Sequence, residues 1–169
     1  MWREKLAIGM VGVLVACQPA AMTRQERSVQ EQAVQGRLND WAKAFSNREA
    51  NALATFYDST ETTMMAWPDG ERTTGWEAEA AKERQFFQMA RQVNFVLQNP
   101  VVEVLSPTMA VTTFRHAMDL IIGDVNSERV YFTGLGTLVW TRPNDKGTWV
   151  ITVGQVSETA PPRAAMRRK

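Results

Sequence analysis

Among 169 residues there is one cysteine, Cys17, and one histidine, His116. A lone thiol cannot close an internal disulfide, and one imidazole among scattered carboxylates lacks the ligand spacing of a metal centre. The sequence therefore implies no metal and no other cofactor. An excess of charge of one sign is also missing. Nineteen basic and 18 acidic residues give a formal net charge of +1, which argues against an electrostatically driven nucleic-acid binder. Glycine loops that cradle phosphate are absent, since Gly134-Leu135-Gly136 lies inside a strand-like run rather than between a strand and a helix. There is no nucleophile elbow either.

What remains is an ordinary globular composition, 44% apolar and 22% charged, in a chain long enough for one well-filled domain with extensions. Six Trp and nine Met are generous for this length and supply large, adaptable side chains for a core or a pocket.

At the N-terminus, Arg3 and Lys5 precede the apolar stretch LAIGMVGVLVA at residues 6–16. It is too short for a spanning helix, which needs about 20 apolar residues, and has the length of a signal-peptide h-region. Leu14-Val15-Ala16-Cys17 resembles the lipobox of bacterial lipoproteins. That resemblance implies a signal peptide over 1–16, acylation of Cys17 and a lipid bilayer as partner. Two or more acyl chains make such anchoring stable. Gln18, in place of the Asp that retains lipoproteins at the inner membrane, implies the outer membrane of a bacterial cell envelope, facing the periplasm. A soluble secreted protein cut elsewhere is the other reading of the same residues. Residues 17–25 read as a polar tether and 159–169 as a basic, disordered tail.

Between them, residues 26–158 read as one domain. Val34, Leu38, Trp41 and Phe45 fall on one face of a helix over 27–45. Ser46 with Glu49 reads as a capping box opening a second helix with Leu53, Phe56 and Tyr57 on its apolar side, ending near Asp58. Residues 62–67 read as a strand closed by Pro68-Asp69-Gly70. Thr74 with Glu77 reads as another capping box, for a helix reaching residue 92 with Ala78, Ala81, Phe86 and Met89 among its apolar positions. Four strand-like runs follow, at 93–105, 109–122, 129–141 and 148–157, with Pro100 marking an edge or bulge. The expected class is α+β, with three N-terminal helices packed on a curved antiparallel sheet.

This order of elements resembles the NTF2-like superfamily, and within it the SnoaL-like and DUF4440-type domains. The carrying phrases are Ala52-Leu53 through Phe56-Tyr57, Gly75 before the third helix, and Gly134-Leu135-Gly136-Thr137-Leu138-Val139-Trp140 followed by Trp149 and Val156-Ser157. The resemblance implies a cone with an apolar pocket between helices and sheet, in a superfamily that holds both enzymes and binding or assembly modules. Fold alone does not choose between them.

The choice falls to particular residues. In 109–122 the even positions, Thr112, Phe114, His116, Met118 and Leu120, are the more apolar and are expected to face the core. His116 then reads either as a general base or hydrogen-bonding group toward a ligand, or as a core histidine held by a neighbouring polar group. Asp119 falls on the opposite face, so it forms no dyad with His116. Asp58 reads either as a pocket base for proton abstraction or as a turn cap. Trp41, Phe45, Phe56, Tyr57, Trp67, Phe86, Phe114 and Phe132 are candidates to line a concave pocket, with Met118 and Gln155; the alternative is that the aromatics fill the cone completely. In SnoaL-like relatives the last strand often carries two histidines; here Val153 and Gln155 stand in those places, and Gln155 cannot transfer a proton at neutral pH. Apolar residues on both faces of 129–141 imply a covered outer face and a homodimer through the sheet. The reading that follows is a non-catalytic pocket for a small apolar or amphipathic molecule. An acid–base enzyme using His116 or Asp58, and a dimeric interaction scaffold, are the alternatives.

Overall fold

A computed structural model describes residues 22–123, 127–144 and 146–159. Cys17, the signal sequence, most of the tether and all but Thr159 of the tail lie outside the described residues. The first helix, α1 (Arg24–Ser46), begins earlier than its apolar stripe requires because Thr23 and Glu26 form a reciprocal cap: the Thr23 N–H donates to Glu26 Oε2 at 2.8 Å and the Glu26 N–H to Thr23 Oγ1 at 3.2 Å. The tether is shortened accordingly, since Arg24 and Gln25 are helical. Val34, Leu38, Trp41 and Phe45 are all buried on the expected face.

Neither of the two capping boxes read from the sequence forms. Ser46 ends α1, and its hydroxyl spans to the backbone of Phe95, donating to the carbonyl at 3.1 Å and accepting the N–H at 3.0 Å. Arg48 adopts a left-handed backbone (φ 61°) that closes the helix, and its guanidinium donates to the carbonyls of Phe87 and Arg91. Helix α2 (Ala50–Ala54) is a single turn with no side-chain cap. The chain then leaves helical geometry, because Tyr57 makes a parallel bridge to Ile151 and is drawn onto the sheet.

Strand β1 (Met64–Ala66) turns through Pro68-Asp69-Gly70 into a short strand missing from the sequence reading, β2 (Arg72–Thr74). Thr74 is paired in that hairpin, opposite Met64, and is not available as a cap. Gly75 holds the N-cap position of α3 (Trp76–Met89) with φ 92°, a conformation that favours glycine. The buried face of α3 carries Glu79, Ala80, Glu83 and Phe87, and Met89 is exposed.

Strands β3 (Ala90–Ser106), β4 (Met109–Ile122), β5 (Glu128–Thr141) and β6 (Val150–Glu158) complete a six-stranded sheet in the order β2-β1-β6-β5-β4-β3. Pro100 lies on the edge strand at a register break between Gln98 and Val101, where Asn99 is left-handed (φ 49°). The α+β class is as the sequence implied. Helices cover the inner, concave face, which carries Phe95, Phe114, His116, Met118, Leu138 and Trp140. The outer face keeps Tyr131, Leu135 and Val153 exposed at 66%, 48% and 37%.

Candidate functional site

Between α3, the β1–β2 hairpin and the inner face of β4 and β5 lies a cavity of about 510 Å³. Its walls are mainly apolar: Phe45 from α1, Trp67 after β1, Phe86 from α3, Met118 and Leu120 from β4, Val130 and Phe132 from β5. Charged groups stand on the hairpin side. Lys82 of α3 donates to Asp69 Oδ2 at 2.8 Å and to Glu71 Oε2 at 2.6 Å, tying the hairpin turn to the helix, and all three line the cavity.

Glu83, also on the wall, is the residue that the sequence reading missed. It is 2% exposed, and Glu79, one turn earlier, is fully buried. The two carboxyls are treated differently. Glu79 accepts from the indole N–H of Trp67 at 3.1 Å and from the hydroxyl of Thr73, so both of its oxygens are engaged. Glu83 Oε1 accepts from the Tyr57 hydroxyl at 2.5 Å, but Oε2 is buried without a hydrogen-bond partner. Burial pushes the Glu83 carboxyl well above the usual range, against the hydrogen bond from Tyr57, and the Glu79 charge adds to the rise. Burial also raises Glu79, opposed by its hydrogen bonds from Thr73 and Trp67. The Tyr57 hydroxyl goes up for the same first reason, with the Glu83 and Glu79 charges adding to it. A carboxyl in this setting is stable as the neutral acid. The only sequence signal was the i, i+4, i+8 stripe Glu79, Glu83, Phe87, which is unreadable as a buried face when glutamate is assumed to seek solvent.

The sequence candidates separate into three groups. Phe45, Trp67, Phe86, Met118 and Phe132 line the cavity. Trp41, Tyr57, Phe114 and His116 are buried beside it but are not among its lining residues. Of these, Tyr57 reaches the site through Glu83, and Trp41 reaches Tyr57 by donating its indole N–H to the phenol oxygen at 3.1 Å. The third group is off the pocket. Gln155 is exposed on the outer face, level with Thr137, so its place in the pocket is corrected: a register break between Val139 and Trp140 lets Ile151, Gly154 and Val156 take the inward positions of β6. Asp58 sits at a half-buried turn where its carboxylate accepts from the Thr60 hydroxyl at 3.4 Å.

His116 has the surroundings of a core residue. Its ring stacks on Phe95 (centroids 5.1 Å apart) and meets Phe132 edge-on at 6.0 Å. Nε2 lies 3.2 Å from the Ser157 carbonyl, which can only accept, so Nε2 carries the proton and the unpartnered Nδ1 is the bare nitrogen. Burial lowers its pKa, against the hydrogen bond to Ser157, which keeps it neutral. Its ring fits because Gly134 lies opposite: a Cβ there would stand 2.4 Å from His116 Nε2 and 1.8 Å from the Ser157 oxygen. Among the described residues no group of three or more His, Cys, Asp or Glu is placed to hold a metal.

Comparison with solved structures gives the fold its name. An NTF2-like superfamily protein from Salmonella enterica superposes with a TM-score of 0.72 at 19% identity, covering 83% of this chain and 99% of that one. The fold is NTF2-like. A candidate scytalone dehydratase from Novosphingobium aromaticivorans gives the same TM-score at 13% identity, covering 82% and 89% of the two chains. The association domain of C. elegans CaMKII gives 0.62 at 19% identity, covering 79% and 99%. No protein-family profile and no curated protein sequence matches the chain. This NTF2-like domain therefore shares its architecture with proteins named for catalysis and for assembly alike, and its own side chains carry the functional argument.

Proposed function

We propose that this NTF2-like domain binds a small, mainly apolar molecule in its cone without transforming it. The observation that carries the reading is the cavity of about 510 Å³, walled by aromatic and aliphatic side chains with few polar groups, which is the usual make-up of a small-molecule site. Neither His116 nor Asp58 lines it, so acid–base catalysis through those residues has no geometric support. An unfilled cone also speaks against a purely structural scaffold.

Two further parts of the reading concern where the domain works. The exposed apolar residues of the outer sheet face, Tyr131 and Leu135 on β5 with Val153 on β6, favour a homodimer formed sheet to sheet, in keeping with the fold's occurrence in an association domain. The lipobox-like Leu14-Val15-Ala16-Cys17 favours a lipid anchor in the cell envelope, with residues 26–158 as the folded unit. No helix among the described residues is long and apolar enough to cross a membrane.

Native mass spectrometry of a soluble form lacking residues 1–17, purified gently from a bacterial periplasm, tests the function. A dimer carrying a co-purified small mass is expected. A ligand-free monomer that no apolar compound stabilises would remove both the pocket and the dimer.

A further inference from the structure

The hydrogen-bond chain at Glu83 has a direction, and the direction says what the pocket recognises. An indole N–H can only donate, so the Tyr57 oxygen receives the Trp41 proton at 3.1 Å and turns its own proton to Glu83 Oε1 at 2.5 Å. Oε1 is thereby fixed as the accepting oxygen of the carboxyl, and the acid proton belongs on Oε2. Oε2 is buried, has no partner in the protein, and is part of a side chain that lines the cavity. An unmet buried donor costs about 1–3 kcal/mol, so a ligand that supplies the missing acceptor gains from it. Other donors on the wall are engaged or turned to solvent: Trp67 on Glu79, Lys82 on Asp69 and Glu71, Gln85 exposed. The charged or titratable groups around Glu83 are Tyr57 from the segment after α2, and Glu79 and Arg84 on its own helix.

We propose that Glu83, held by Tyr57 and Trp41, is a fixed hydrogen-bond donor that selects a ligand carrying a ketone-type carbonyl oxygen on a compact apolar frame. This rests on the pocket reading above. It places the carbonyl at Oε2 and the frame against Phe45, Phe86, Met118 and Phe132.

The test compares 1-tetralone with tetralin, the same bicyclic frame without oxygen, by calorimetric titration of the full chain. Wild type is expected to bind the ketone about tenfold more tightly, the size of one well-placed hydrogen bond. Glu83→Gln keeps an acceptor for Tyr57 and an amide donor for the ligand, and retains the preference. Glu83→Leu levels the two compounds while leaving tetralin binding unchanged, and the carbonyl stretch of bound 1-tetralone moves to higher wavenumber than in wild type. Equal binding of the two compounds by wild type would overturn the proposal and spare the pocket. So would a folded Glu83→Gln protein without the preference, or tighter binding of 1-aminotetralin, which an ionised Glu83 would favour. Binding of none of the three overturns the pocket itself.

Discussion

The two ends of the cone are built from similar aromatic material and filled differently. Around Trp41, Phe95, Phe114 and His116 the rings touch directly: Trp41 meets Phe95 edge-on at 5.5 Å, and His116 stacks on Phe95. Space for this comes from the opposite strand, where Gly134 and Gly136 face His116 and Phe114; a Cβ at Gly136 would lie 2.2 Å from Phe114 Cζ. Toward Phe86, Met118 and Phe132 no such complementarity exists, and a cavity remains. Each end keeps one buried polar atom without a partner, His116 Nδ1 at the packed end and Glu83 Oε2 at the hollow one. Only the second borders space that a ligand can occupy. A lone pair left bare in a packed core is a tolerated cost; an acid left bare on a cavity wall is a binding site.

Mutations at matched positions sharpen this contrast. Phe114→Ala removes a ring from the packed end and is expected to cost about 4 kcal/mol in urea unfolding, as ring deletions in close-packed cores do. Gly134→Ala should cost about 2–3 kcal/mol, because its Cβ meets the Ser157 backbone oxygen rather than a movable side chain. Phe132→Ala, on the cavity wall, should cost only about 1–2 kcal/mol, since one side of the ring already lacks contacts. Equal losses for Phe114 and Phe132 would mean that the cavity is closed in solution.

The two polar atoms predict opposite pH slopes of smaller size. Glu83 and Glu79 have raised folded pKa values, so the stability they confer is complete below about pH 4.3 and is lost as the pH rises toward those values. His116 has a lowered one, so its contribution is present above about pH 6.5 and lost as the pH falls through the folded value. Unfolding midpoints across a pH series should show Glu83→Gln flattening the decline on the alkaline side, and His116→Leu removing the decline on the acid side. The smallest effect on folding, under about 0.5 kcal/mol, is expected of Tyr131→Ser on the exposed outer face. That change should instead weaken the dimer in sedimentation; an unchanged association constant would move the interface elsewhere.

Much of the fold could be read along the chain because its signals are local. The stripe Val34, Leu38, Trp41, Phe45 and the alternation in Met109–Ile122 each report burial through a period that backbone geometry imposes, and Pro100 announced its register break by lacking an N–H. Helix ends were less legible. Three Ser/Thr-x-x-Glu patterns are present, and only Thr23 with Glu26 forms the cap, because Ser46 is bound by the β3 backbone and Thr74 by the hairpin. Those competing partners are distant in sequence.

For the site, the wall residues Phe45, Trp67, Phe86, Met118 and Phe132 were named from size and periodicity. Gln155 was misplaced by a single register break between β5 and β6, since one slipped residue reverses a strand's faces. By itself, then, the sequence determined the class, the order of elements and which aromatics meet the sheet, all consequences of helix and strand periods. The tertiary structure alone decided that Glu83 is buried, that Tyr57 and Trp41 orient it, and that His116 is packed away. A carboxyl's charge and reach depend on desolvation and on partners 26 residues away in the chain, and no local pattern encodes either.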